Sequence, residues 1–569
     1  FNNVLWDVES SGFYAPIGFN EGIVIGSPIG ITSVERADES TFSNLGWGFN
    51  NNNRGIEDTW VYLGDEDGQL TPVLQSALSY NIAEAEQLRY VTLDMQGDYV
   101  LTRDIDASDT EYWNSGAGFN PIGNDSTKFT GQLDGRGFAV RDLFINRSST
   151  ENVGMFGYIQ NATIKNIGLI GGTIVGGNYT GGLVGQADVF SLITSAYNKG
   201  NVNGRNFVGG LAGLIDSGST IENSYATDDV TGEFVVGGLV GSVFGGGIVK
   251  TSFATGDVTA ASNGAGGLVG SIQVNGRVFN AYATGSVTGD NNVGGFAGSS
   301  EGGITNAYSE GFVTGAGSTG GFLGFWSAFD SNTNTYWNIQ TSGQAGSAGA
   351  GVIGKTPNQM TQEATFTDWN FENSAFGLPG GEWIMAGTPH LQMEHTTDIT
   401  NVNELALTVL DPFSDYVLMN DIDASQTEAW NYASGLYNGF TPIGLFAGSL
   451  DGQGFAIRDL FVRPTNTNLE SIGLFSFVHL SDVSNLELIN PVVTAPGVAN
   501  YKVGALSGSV IASTIDNVGV INGTVYGIDR VGGLVGEATM SAISHSFATG
   551  TVSGDDVVGG LAGALRYKS

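Results

Sequence analysis

Short apolar pieces separated by Gly, Asn, Asp and Ser recur along this chain at a nearly constant spacing. Gly181-Gly182-Leu183-Val184-Gly185 returns as Gly209-Gly210-Leu211-Ala212-Gly213 and as Gly237-Gly238-Leu239-Val240-Gly241. It returns again from Gly266 to Gly270 around Gly267 and Leu268, from Gly294 to Gly298 around Gly295 and Phe296, and from Gly320 to Gly324. Successive starts thus keep a period of about 28 residues, and Gly154-Met155-Phe156-Gly157 extends the series one step earlier. An aromatic series runs in phase with it: Tyr197, Tyr225, Phe253, Tyr282 and Tyr308, in segments such as SAYNKG, NSYATD and TSFATG. Each is followed by a short Val-containing piece such as GDVTA. No apolar 3.6-residue period is sustained for ten residues, so the pattern predicts three short strands per repeat and no helix within it.

Short strands repeated in register describe an all-β fold, a parallel β-helix or β-solenoid whose rungs of about 28 residues stack at the strand spacing of about 4.8 Å. Equivalent residues then form ladders, and the aromatic and Leu/Phe series are expected inside the coil. The paired glycines either turn tight corners with φ > 0 or let two walls of the coil approach closely. Either way, a larger residue at Gly238 or Gly267 is expected to clash with the neighbouring rung.

A second, longer period of about 317 residues arranges these rungs into tandem units. The run from Tyr99 to Ser108 (YVLTRDIDAS) reappears from Tyr416 to Ser425 (YVLMNDIDAS), and GQLDGRGFAVRDLFI from Gly131 reappears as GSLDGQGFAIRDLFV from Gly448. LWDVESSG from Leu5 resembles YWNIQTSG from Tyr336, and Trp60-Val61 resembles Trp383-Ile384. The chain therefore divides into the closing segment of one unit (1–78), a complete unit (79–395) and the head and first rungs of the next (396–569). The complete unit reads as a head (79–150), rungs (151–334) and a closing segment (335–395). This order reads as a stretch of a longer tandem array, in preference to subunits docking head to tail through open solenoid ends.

Composition narrows the function. The chain has 569 residues, 89 of them Gly and none Cys, with 20 Lys or Arg against 56 Asp or Glu, a net charge of −36. With 41% hydrophobic residues it can build a core, and with no Cys it holds no disulfide or thiolate metal site. The charge argues against nucleic acid or an anionic lipid surface as partner and suits a surface exposed to high salt. No signal peptide is recognised within the chain, and no apolar run is long enough to insert in a membrane.

The GGLVG piece with the NSYATG-type piece after it resembles the GLUG motif of bacterial surface proteins. The head, from GDYVLTRDIDAS through FTGQLDGRGFAVRDLFI to VGMFG, is similar to the segment that opens such solenoids, and YWN … GKTPNQM … WNF … WIMAGTPHLQM is similar to their end. The resemblance implies exported adhesins and filamentous-haemagglutinin-like β-solenoids, with no shared catalytic residues. Some relatives add a metalloprotease domain, which needs HExxH. This chain has only His390, His395, His479 and His545, none in that spacing, so protease activity is not expected of it.

Candidate chemistry rests on carboxylates. Asp104/Asp106 and Asp421/Asp423 alternate with Ile, which places both acids of a pair on one side of a strand, and they recur with Asp134, Arg141-Asp142, Asp451 and Arg458-Asp459. Turn capping or ion pairing, Ca²⁺ binding and catalysis are the readings open to them. Asp65 and Asp67, in Gly64-Asp65-Glu66-Asp67-Gly68, are the best local Ca²⁺ candidates but lack an EF-hand register. His545 takes the place of Asn223, Asn280 and Asn306 in other rungs and reads as one member of a polar ladder. Trp113, Trp337, Trp369, Trp383 and Trp430 lie in heads and closing segments, where they cap a solenoid end or, if exposed, stack on sugars.

The structural repeat residues are Gly182, Leu183, Gly185, Gly210, Leu211, Gly238, Leu239, Gly267, Leu268, Gly295, Phe296, Tyr225, Phe253 and Tyr282. The function expected is structural and adhesive, secreted to the cell surface and non-catalytic. Its expected partners are further copies in a fibre and host or matrix glycans, and its expected cofactors are none beyond Ca²⁺. A carbohydrate-active β-helix enzyme, or a passive glycan-binding module with exposed aromatic rows, is the alternative.

Overall fold

The computed structural model describes residues 79–567 apart from 328–330, 372–380, 434, 465–469 and 496–500, together with the strands Leu5–Asp7, Ile29–Ile31, Trp60–Gly64 and Leu70–Leu74. Asp65 and Asp67 lie outside the described residues, as does most of segment 1–78. The chain forms two compact units. The first holds residues up to 304, 308–332 and 342–350; the second holds 305–307, 333–341 and 351–569.

The first unit is a parallel β-solenoid. Val184 pairs with Ala212, Ala212 with Val240, Val240 with Val269, Val269 with Ala297 and Ala297 with Leu323, all in parallel. These pairs are the GGLVG repeat read along the stack. A typical rung carries four strands where the sequence predicts three: Phe234–Gly237, Val240–Val243, Ile248–Ala254 and Val258–Ala260. The fourth arises because the paired glycines bend the chain, so the residues before them make a ladder of their own, with Val236 against Ala265.

The glycines choose between the two roles open to them. None of Gly182, Gly210, Gly238, Gly267 and Gly295 has a positive φ; their role is close approach. A Cβ on Gly238 would run into the carbonyl oxygen of Gly267 and lie 2.9 Å from the Cβ of Ala254; one on Gly267 would run into Gly295 and lie 3.0 Å from the Cβ of Ala283. Gly185 is equally confined: a Cβ there would lie 2.6 Å from the carbonyl oxygen of Gly157. Beyond this pinch the valines 202, 208, 230, 236, 258, 287, 293 and 313 form a narrow core of their own with Ala260 and Ala265.

Leu183, Leu211, Leu239, Leu268, Phe296 and Phe322 are fully buried. The aromatic series stacks as expected, with ring centroids 4.8–5.1 Å apart and planes within 10° from Tyr197 through Tyr225, Phe253 and Tyr282 to Tyr308. Phe253, Tyr282 and Tyr308 are buried, but Tyr197 and Tyr225 are only half-buried, so this column opens toward solvent at its first two members. One column of left-handed corners falls on polar residues, Asn166, Ser195, Asn223, Thr251 and Asn280, all with φ between 48° and 52°, while another carries Tyr179, Phe207 and Val235. A short amide side chain tolerates that conformation better than a bulky one.

The second unit repeats these devices. Residues 335–338 of strand Asn332–Asn338 pair with Val352–Lys355, and Trp383–Ala386 forms an antiparallel hairpin with Thr388–Leu391. Trp60–Gly64 and Leu70–Leu74 form the same kind of hairpin near the N-terminus. Helix Val402–Leu407 opens the next head, with the Asn401 side chain accepting the amide hydrogens of Asn403 and Glu404, and is buried through Val402, Leu405 and Leu407. Rungs follow: Ser507 pairs with Val535, and Val535 with Ala562. Asn485, Asn517 and His545 occupy the left-handed corner.

Candidate functional site

The repeated aspartates are built from strand alternation. Ile105 and Ile422 are buried, and the acids on either side of each are exposed. Asp104 accepts the Ala139 amide at 3.0 Å and two bonds from Arg141, Nε at 3.0 Å and Nη2 at 2.7 Å. Asp421 accepts the Ala456 amide at 2.9 Å and Arg458 at 3.3 and 2.7 Å. The Ala139 amide and the Arg141 guanidinium hold the Asp104 carboxyl below the ordinary aspartate range, and Arg458 and the Ala456 amide do the same to Asp421. Asp106 and Asp423 cap turns, accepting the amides of Ser108 at 3.0 Å and Ser425 at 2.9 Å. The four acids thus serve two pairs of equivalent protein contacts. Among the described residues, no group of three or more His, Asp and Glu side chains is placed to hold a metal ion.

An open groove of about 500 Å³ lies over the first rungs of the first unit, lined by Asp134, Arg136, Gly137, Asn166, Ser195 and Tyr197. Strand Gln132–Asp134 brings Asp134 to its edge, and the following turn holds Arg136 at φ 51°. Asp134 accepts the Arg136 amide at 2.9 Å and the Asn166 side-chain amide at 3.0 Å, with Lys165 Nζ 3.4 Å away. Burial raises the Asp134 pKa, but bonds from Asn166 and Arg136 and the Lys165 charge outweigh it, and the net shift is downward. Tyr197 closes the groove. Its ring occupies the space above Gly168, where any Cβ would collide with it. Burial pushes its phenol up against the opposing pull of Arg141. Lys199 Nζ lies 5.5 Å from the Tyr197 ring centroid and 5.6 Å from that of Tyr225.

The remaining candidates have structural contacts. His545 Nδ1 lies 2.7 Å from Asp516 in the left-handed corner column, beside a ladder in which Asn517 donates to Asn485 at 3.0 Å. His390 sits between Glu394 at 2.8 Å and Asn403 at 2.6 Å, and His395 Nε2 lies 2.8 Å from the Tyr416 hydroxyl. Trp337, Trp369, Trp383 and Trp430 are buried, and Trp113 is half-buried with the Arg89 guanidinium 5.4 Å from its ring centroid. Trp369 packs on Trp383 with centroids 4.3 Å apart.

One site is not legible from the repeat. Glu537, with a side chain only 8% exposed, gathers Lys502 Nζ at 3.1 Å, Arg530 Nε at 3.0 Å and Arg566 Nε at 2.8 Å. In the equivalent column of the first unit the residues are Tyr158, Gln186, Leu214, Ser242, Ser271, Ser299 and Phe325, none of them charged. The only signal in the sequence was an acid interrupting that series.

Among known proteins, the GLUG motif matches residues 205–231 and 529–553. Halomucin of Haloquadratum walsbyi is 36% identical over 20% of this chain, and a Gly-rich membrane protein of Evansella cellulosilytica is 31% identical over 22%. The matched regions span 2% and 15% of the lengths of those relatives. An immunoglobulin A1 protease candidate from Bacteroides ovatus matches with a TM-score of 0.36 at 18% identity, covering 55% of this chain and 92% of that one. An IgA1 protease matches with a TM-score of 0.33 at 18% identity, over 53% of this chain and 23% of that one. Repeat spacing and parallel register make the chain a β-solenoid, and it carries the GLUG motif at two places.

Proposed function

We propose that this chain is a structural and adhesive module of an exported surface protein, with no catalytic role. The observation that carries the reading is the ladder: each rung of the first unit bonds to the next through parallel strands at the same positions, from residue 156 to residue 326. Tension along the stack loads all the backbone bonds of a rung together, which is what an extended surface element needs. The names of the relatives, a mucin and a membrane protein, support a cell-surface setting. Further solenoid units and extracellular glycans are the partners this reading assigns. The 36 excess negative charges keep copies soluble and apart.

Single-molecule pulling on the whole chain tests the reading. The expected record is a series of high-force steps, each one or a few rungs long. Smooth extension at low force would sink it. In parallel, incubation with a panel of polysaccharides is expected to release no reducing ends or unsaturated products. Turnover of any one of them would favour the carbohydrate-active alternative.

A further inference from the structure

We infer that the groove between Arg136 and Tyr197 is a binding site for a carboxylate-bearing sugar of an extracellular glycan. The two heads share one scaffold and differ in the groups they carry. In both, the acid at the groove edge accepts the next turn's amide and the ladder asparagine: Asp134 from Arg136 and Asn166, Asp451 from Gln453 and Asn485, at 2.9 and 3.0 Å in each case. The scaffold is therefore the same, and so is its left-handed turn, with φ 51° at Arg136 and 52° at Gln453. The groups in and beside the groove differ, Arg136 and Tyr197 lining it, Lys165 lying next to Asp134 and Lys199 next to the Tyr197 ring. Pairing to Asp134 places Lys165 where pairing to Asp451 places Ser484, and two residues past the next corner Tyr197 stands where the second head has Gly519. Lys199 correspondingly stands where Ile521 does. Three cationic positions and a phenol are present only in the first head, in a chain with 20 basic residues in all.

The basic residues around the groove are not equally engaged. Arg141 is held by Asp104, and Lys165 lies beside Asp134. Arg136, exposed on the groove wall, pairs with no carboxylate among the described residues, and Lys199 lies over aromatic rings. A free guanidinium fork matches a carboxylate in two parallel bonds. The Ser195 and Tyr197 hydroxyls and the Asn166 amide line the same groove and suit sugar hydroxyls. The acidic remainder of the chain does not forbid an anion here, because charges more than about 10 Å away are largely screened at ordinary ionic strength.

The test is calorimetric titration of the whole chain with oligogalacturonate and with sialyllactose, the two sources of a sugar carboxylate, and with a neutral cello-oligosaccharide. Binding of at least one acidic sugar is expected, weakened by added salt, with the neutral sugar weaker by at least about tenfold. Arg136→Gln, which installs the residue of the second head, is expected to lower affinity about tenfold with an unchanged melting temperature. Lys199→Gln is expected to lower it severalfold. Absence of binding to both acidic sugars, equal binding of the neutral one, or an Arg136→Gln variant that binds as well as the parent would each overturn the inference. It rests on the adhesive reading only for the presence of extracellular glycan. A null titration with normal pulling behaviour removes this site and leaves that reading standing.

Discussion

Asp104 grips Arg141 through Nη2 at 2.7 Å and Nε at 3.0 Å, and in the next head Asp421 grips Arg458 through the same atoms. Both carboxyls are held below their ordinary range, so their contribution is complete above about pH 4 and is lost as the pH falls through the lowered value. The pairs are close to half exposed, so solvent screening keeps the contribution of each small. Asp104→Asn is therefore expected to lower the melting temperature slightly at pH 7 and to match the parent near pH 2. A difference that persists at pH 2 would show that the pair is not the cause.

Gly238 is confined by backbone, not by the end of a flexible side chain. Gly238→Ala is expected to destabilise the first unit by about 1–3 kcal/mol through overpacking. Gly346→Ala, where a Cβ meets nothing within 4 Å, should stay within about 0.5 kcal/mol of the parent. Urea melts of the two variants make the comparison, and equal midpoints would count against the close-approach reading.

Asn223 holds the left-handed corner at φ 49°. Asn223→Gly should be tolerated, whereas Asn223→Val should cost about 1–2 kcal/mol, because a Cβ-branched residue is strained there. Thermal melts in which Val proves as stable as Gly would contradict this.

His395 lies against Tyr416, whose hydroxyl donates to the Asp411 carbonyl at 2.6 Å. Burial lowers the His395 pKa, the Asp411 charge opposing it. The unfolded chain therefore binds the proton more tightly. The stability this neutral histidine contributes is present above about pH 6.5 and declines as the pH falls below it. Melting of the second unit between pH 7.5 and 5, in steps of about half a pH unit, should show that decline. His395→Gln should flatten it.

Net charge sets a further expectation. With −36 spread over 569 residues, self-repulsion opposes the folded state at low ionic strength. Raising NaCl from about 0.1 to 1 M, which shortens the screening length about threefold, should raise the melting temperature by several degrees. A flat or falling curve would show that the acids are already locally compensated.

The short repeat period was enough to stack Val240 on Val269 and Tyr225 on Phe253, because in a parallel solenoid the period alone decides which residues become neighbours. Alternation was enough to place Asp104 and Asp106 outside and Ile105 inside. Tertiary structure decided what a period leaves undefined. It decided that Gly238 faces Ala254 across a pinch instead of turning a left-handed corner, and that Asn166, Asn223 and Asn280 take left-handed corners along with Ser195 and Thr251. It decided that Tyr197 tilts over Gly168 and stays part-open, and that Arg136 and Tyr197 from different rungs share one groove. It buried Glu537 among three cations. Periodicity specifies contacts along a ladder, where equivalent residues meet. Contacts across the coil, and over its outer face, depend on where each rung bends, and that is set by the packing of whole rungs against one another.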